Sequence, residues 1–116
     1  MKAAQVTRYD KNNISVRIAE VEKPEPDRNS VLVKVTAAGV NPLDNMISRG
    51  EVKMIVPYRL PAIAGNELAG IVEKIGAGVT EFQAGDRVFA RLPLDHIGAF
   101  AEYVAIDQDA LAKIPD

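Results

Sequence analysis

L-P-A-I-A-G-N-E-L-A-G-I-V-E-K-I-G-A-G-V-T-E-F-Q-A-G-D-R-V, residues 60–88, is the stretch whose reading decides the fold. Leu68 to Ile75 reads as a strand that tolerates Gly70 in its interior. Residues 76–86 are turn-rich and end in Gly85-Asp86, and Arg87 to Leu92 reads as the next strand. Two apolar runs joined by a glycine-bearing, turn-rich connection do not make a βαβ unit. The glycines also invite two nucleotide-binding readings, and both fail. Gly76-Ala77-Gly78 has Glu81 at the sixth position, and the chain reaches Gly85-Asp86 before a crossover helix could form. A dinucleotide fingerprint needs that helix to aim its N-terminus at pyrophosphate. This connection is therefore predicted to be a plain turn whose glycines supply unusual φ values. Gly65 and Gly70 have P-loop spacing, but Ile71-Val72 follows where lysine and a hydroxyl residue are required.

Outward from this stretch the pattern stays short and mostly alternates with period two. Residues 2–8 read as a strand. Ile14, Val16 and Ile18 point one way, with Ser15 and Arg17 the other. K-P-E-P-D-R-N, 23–29, is a loop whose prolines cannot join a central ladder. Residues 31–38 form a strand with Val31, Val33 and Val35 on one face. One helix is expected, 42–49, with Asn41 at the N-cap, Pro42 at the first helical position, Asp44 at the third and Gly50 just past the end. Arg49 is placed to favour the helix C-terminus. Residues 50–62 read as irregular loop, 99–106 as a strand and 112–114 as a last short one. The fold class is mainly β, a barrel or packed sheets with one short helix.

Composition narrows the function. The chain has 116 residues, 47% apolar and 26% charged, with a formal net charge of −2. That balance suits one globular domain and leaves no basic footprint for nucleic acid or an anionic membrane. Cysteine is absent and His96 is the only histidine. Disulfides, thiolate zinc sites, iron–sulfur clusters and cysteine nucleophiles are therefore excluded. No run approaches the roughly 20 apolar residues of a membrane span, and the N-terminus lacks the apolar segment of a signal peptide. The cytoplasm is the expected compartment.

The order Pro61, Gly65, Glu67, Gly70, Val72, Gly76, Val79, Gly85, Asp86, Val88, followed by I-G-A-F-A-E-Y-V at 97–104, resembles the N-terminal GroES-like domain of the medium-chain dehydrogenase/reductase superfamily. V-N-P-L-D at 40–44 and the Arg49-Gly50 helix end look most like its zinc-free quinone oxidoreductase branch. The resemblance covers nearly all of the chain. It implies a GroES-like, partly open β-barrel over 1–116, with a C-terminal Rossmann domain for NAD(P)H beyond it; the chain is read as a domain cut from something longer. Zinc-dependent relatives carry cysteine where this sequence has Asn41 and histidine where it has Asn66. Asparagine is a poor zinc ligand beside thiolate or imidazole, so no metal is expected.

By this resemblance the activity is hydride transfer from NADPH, or NADH, to a quinone or an α,β-unsaturated carbonyl. Partners are then a small-molecule substrate, the Rossmann domain in cis and, for the full-length protein, a second copy in a homodimer. Asn41 and Asp44 fall at the nicotinamide side of the cleft, Tyr58 in a loop where it can touch substrate or donate a hydrogen bond, and Asn66 facing the same cleft. Tyr58 and Asp44 are the catalytic candidates, Asn41 and Asn66 the cofactor-binding ones. Read locally, Asn41 and Asp44 are also a capping box, and an asparagine amide that donates and accepts at once suits a ribose hydroxyl or a carboxamide. Glu67 reads as a supporting carboxylate, Asp86 as a turn residue and His96 as a loop tip. Two alternatives remain open: a free-standing GroES-like binding module without catalysis, and a zinc-type alcohol dehydrogenase relative that has lost its metal.

Overall fold

The computed structural model describes residues 1–116. In chain order its elements are β1 (Lys2–Val6), β2 (Val16–Glu20), β3 (Ser30–Gly39), α1 (Pro42–Ser48), β4 (Ala62–Ile63), β5 (Glu67–Ile75), β6 (Arg87–Arg91), β7 (Tyr103–Asp107), a 3-10 turn (Gln108–Ala110) and β8 (Leu111–Lys113). β7, β3, β5, β6 and β8 form one antiparallel sheet in that order; β2, β1 and β4 form another. Alternation sends Val31 and Val33, Leu68 and Val72, Val88 and Ala90, and Val104 and Ile106 into one core, closed by Val79, Phe82 and Leu111. The register of β3 against β5 shifts twice, between Leu32 and Val33 and between Val35 and Ala37. Such shifts bend a sheet toward closure.

The two sheets are stitched by residues 98–102. The Ala4 N–H donates to the Phe100 carbonyl at 2.8 Å, and the Phe100 N–H to the Ala64 carbonyl at 2.8 Å. The Glu102 carbonyl accepts from the Val35 N–H at 2.9 Å, on the other side of the seam. The architecture is thus the partly open, GroES-like barrel that the sequence predicts. No helix is long and apolar enough to cross a membrane.

Several expectations need correction. The predicted strand 99–106 begins only at Tyr103, because Phe100 and Ala101 pair with β1 and with Ala64, just past β4, instead of with β3. The predicted loop 50–62 ends in a short strand, β4, paired with β1 at Gln5 and Val6. Ile14, Val16 and Ile18 alternate as predicted but face solvent, since β2 is an edge strand with nothing packed on that side. Arg49 is the C-cap residue of α1, as expected, with its N–H donating to the Asn45 carbonyl at 3.0 Å, but its guanidinium pairs with Glu51. Gly76 and Gly78 lie in a turn but do not supply positive φ, which occurs only at Gly50, Gly65, Gly85 and Gly98. Gly76 is needed for space instead: a Cβ there would lie 2.0 Å from the Asp27 carbonyl oxygen.

Gly70 obeys the same constraint in mid-strand. A Cβ added to it would lie 2.3 Å from the Lys34 carbonyl oxygen and 2.7 Å from Val33 Cγ1. Gly70→Ala therefore forces β5 away from β3, and overpacking of this kind costs about 1–3 kcal/mol. A urea melt should show the midpoint lowered with the slope retained; an unchanged midpoint would mean that the two strands have room to spare.

Candidate functional site

Three chain segments converge beside α1. The first is Gly65-Asn66, which links β4 to β5. Gly65 adopts φ +103°, and a Cβ there would lie 2.6 Å from Phe100 Cδ1, so only glycine lets the chain pass. Its carbonyl accepts from the Gly98 and Ala99 N–H groups at 2.9 and 3.1 Å. Asn66 is 3% exposed and grips the exit of β6 twice. Its carbonyl accepts the Leu92 N–H at 2.7 Å, and its side-chain Nδ2 donates to the Leu92 carbonyl at 2.8 Å. The second segment, Arg91–Leu94, is held in place by that grip.

The third segment is the start of α1. The Asn41 N–H donates to Asp44 Oδ2 at 2.7 Å, the arm of a capping box that reaches back. The Asp44 N–H donates to the Asn41 backbone carbonyl at 3.0 Å, and the Asn41 side chain faces that same N–H as the other arm of the box. Asp44 is 7% exposed, and its second oxygen, Oδ1, is buried without a partner. A buried acceptor left unpaired is uncommon and calls for a donor. Position N3 of the helix favours the negative charge itself.

Leu43, Asn66, Arg91, Leu92, Pro93 and Leu94 line a hollow of about 460 Å³. Leu43 brings the helix start to it, and Asp44 follows Leu43 in sequence. Tyr58 reaches the rim from the loop after α1: its hydroxyl donates to the Leu94 carbonyl, and its N–H donates to the Tyr9 hydroxyl at 3.0 Å. Burial, then the neighbouring Tyr9 and Asp95, pushes the Tyr58 phenol above the ordinary tyrosine range. The structure thus gathers the segments carrying Asn41, Asp44, Tyr58 and Asn66 around one hollow. It also shows that the Tyr58 hydroxyl and one Asn66 side-chain N–H are engaged inside the fold, whereas Asp44 Oδ1 is not.

Glu67 starts β5 and makes no hydrogen bond; its Oε2 lies 3.3 Å from where a Gly39 Cβ would stand. Asp86 closes its turn by accepting the Gln83 N–H at 3.0 Å. His96 is exposed in a loop and lines a larger hollow, about 590 Å³, with Asp27, Asp95, Asp107 and Asp109. The Ser30 hydroxyl, then the Asn29 N–H, holds the Asp27 carboxyl below its usual range. No three histidine, aspartate or glutamate side chains are placed to hold a metal ion, here or elsewhere in the chain. Sequence reading missed Arg91, Leu94 and Tyr9. The alternation of exposed Arg87, Phe89 and Arg91 with buried Val88 and Ala90 is the signal that places Arg91 outward.

Tyr58→Phe should cost about 1 kcal/mol, the net worth of one hydrogen bond, read from chemical denaturation. The raised phenol pKa makes the folded state bind its proton more tightly. That contribution is present below the ordinary tyrosine pKa, near 10, and is lost as pH rises through the raised folded value. Absorbance titration of the native chain should show a late-ionising phenol that Tyr58→Phe removes.

Residues 27–116 match the family described as alcohol dehydrogenase GroES-like domain. The chain is 35% identical over 117 residues to the chloroplastic quinone-oxidoreductase homolog of Spinacia oleracea, covering all of this chain and 36% of that protein. It is 42% identical over 109 residues to a trans-enoyl reductase of Gibberella fujikuroi, covering 86% of this chain and 29% of that one. Among solved structures, Escherichia coli quinone oxidoreductase complexed with NADPH superposes with a TM-score of 0.86 at 29% identity, over 99% of this chain and 33% of that one. The chain spans about a third of the length of the relatives it matches. By fold, by sequence and by the glycines that shape its turns, the chain belongs to the alcohol dehydrogenase GroES-like domain family, and the relatives it resembles include quinone oxidoreductases.

Proposed function

We propose that this chain is the acceptor-side lobe of an NAD(P)H-dependent oxidoreductase that reduces a quinone or an α,β-unsaturated carbonyl without zinc, its cofactor lobe being a C-terminal Rossmann domain. The observation that carries the reading is the buried Asp44 Oδ1, which has no partner in the chain and follows Leu43, a wall of the hollow that Asn66, Arg91, Leu92, Pro93 and Leu94 complete. An acceptor oxygen without a partner suits a ligand that offers a donor, as a nicotinamide carboxamide or a ribose hydroxyl does. A bound nicotinamide cofactor would supply hydride. This chain would orient it through Asn41 and Asp44 and hold the acceptor against Leu43, Leu92, Pro93 and Leu94.

The other two candidates take narrower roles in this reading. Asn66 braces the hollow by fixing Leu92 and does not contact the cofactor through Nδ2, which is already donated. Tyr58 stays protonated at neutral pH. It can stabilise an enolate-like oxygen or release a proton to it by exchanging the Leu94 carbonyl for the acceptor. The engagement of Tyr58 and Asn66 inside the fold equally favours a binding module without catalysis, and activity decides between them.

The test is turnover by the protein carrying its C-terminal lobe. NADPH-dependent reduction of a quinone or enone should survive a chelator, and residues 1–116 alone should show none. Asp44→Asn should lower kcat/KM about tenfold, the usual cost of removing a charged hydrogen-bond acceptor. Strong chelator inhibition, or full activity in Asp44→Asn, overturns the assignment.

A further inference from the structure

Arg91 ends β6 with its side chain on the outward face. It stands directly across the ladder from Glu67, yet none of the chain's ion pairs involves either residue at a limit of 4.0 Å. Arg91 lines the 460 Å³ hollow on one side, and a second hollow of about 540 Å³, with Gly39, Glu67 and Phe89, on the other. Within the first hollow the remaining lining is Leu43, Leu92, Pro93 and Leu94, plus Asn66 with its amide already donated. The hollow therefore has apolar walls and one uncompensated charge. A guanidinium is a planar fork of donors that matches carboxylate and phosphate oxygens.

We propose that Arg91 makes this site selective for an anionic acceptor: an enone or quinone with an apolar body and a carboxylate or phosphate group reaching the guanidinium. The proposal rests on the hollow being the acceptor site, and it adds the charge of the substrate. The apolar body leaves water against the leucines, while the anionic group takes the pairing that Glu67, turned toward the second hollow, does not provide. Neutral quinones and enones then bind by apolar contact alone.

Amide-resolved NMR titration of the 116-residue chain separates the possibilities, with benzylideneacetone as neutral probe, its para-carboxylate as anionic probe and NADPH as a phosphate-bearing control. The carboxylate should bind about tenfold more tightly than the neutral ketone, as a charge-assisted hydrogen bond predicts, with shifts at Leu43, Asn66, Leu92 and Leu94. Arg91→Ala should abolish that preference, bringing the two ketones to equal affinity. Arg91→Lys, which keeps charge without the fork, should retain only part of it, and Glu67→Gln should strengthen it. Equal binding of the two ketones, or a preference that survives Arg91→Ala, overturns the proposal while leaving the acceptor site standing. An Arg91-dependent response to NADPH with no preference between ketones assigns the anion to the cofactor and also overturns it. No shift at these amides with either ketone removes the acceptor site and the proposal together.

Discussion

The reciprocal hydrogen bonds between Asn66 and Leu92 hold the site-bearing end of the barrel together. The carbonyl of Asn66 and its side-chain amide engage the two polar backbone groups of Leu92, so the link between β4 and β5 cannot shift without moving the exit of β6. Everything that forms the hollow follows from that tie. Leu92 to Leu94 become its wall, Leu94 offers its carbonyl to Tyr58, and Tyr58 in turn anchors the loop that follows α1. The tie is buried, so breaking it leaves donors and acceptors out of reach of water, and an unmade buried hydrogen bond costs more than a made one contributes. Gly65 completes the constraint by letting the chain pass against Phe100, where any side chain would collide.

Asn66 directs a donor inward and so becomes part of the frame, while its second N–H and its Oδ1 stay outside that bond. Tyr58 is tied in the same way: its hydroxyl proton and its backbone N–H both secure the loop.

How much of this was legible in the sequence depended on the span of each interaction. The Asn41–Asp44 cap, the helix end at Gly50 and the Gln83–Asp86 turn join residues three or fewer positions beyond the element they close, and their side chains announce them locally. The core alternation of Val31, Val33 and Val88 was legible for the same reason. By contrast the Asn66 amide acts across 26 positions and the Tyr58 hydroxyl across 36, so no local pattern could show that either was spoken for. The glycines of the 76–78 turn were correctly read as a turn for the wrong cause: the need is space against the Asp27 and Arg28 carbonyls, which only the folded loop 23–29 creates. β2 is the opposite failure. Its alternation is sound, but a period of two says which side chains share a face, not whether anything covers it.

The distribution of satisfied and unsatisfied polar groups carries the functional argument further than any single residue does. On the surface some charges are answered, Lys23 by Glu73, Lys74 by Glu25, Lys113 by Asp86 and Arg8 by Asp10, while others, Arg91 among them, face water. Inside the fold, an Asn66 side-chain N–H and the hydroxyl of Tyr58 are answered too. Asp44 Oδ1, next in sequence to Leu43 in the wall of the 460 Å³ hollow, is buried and has no partner in the chain. An exposed group without a partner is ordinary, because water serves it. A buried carboxylate oxygen is not, and one left unpaired is the arrangement expected where a hydrogen bond is completed by something that arrives from outside.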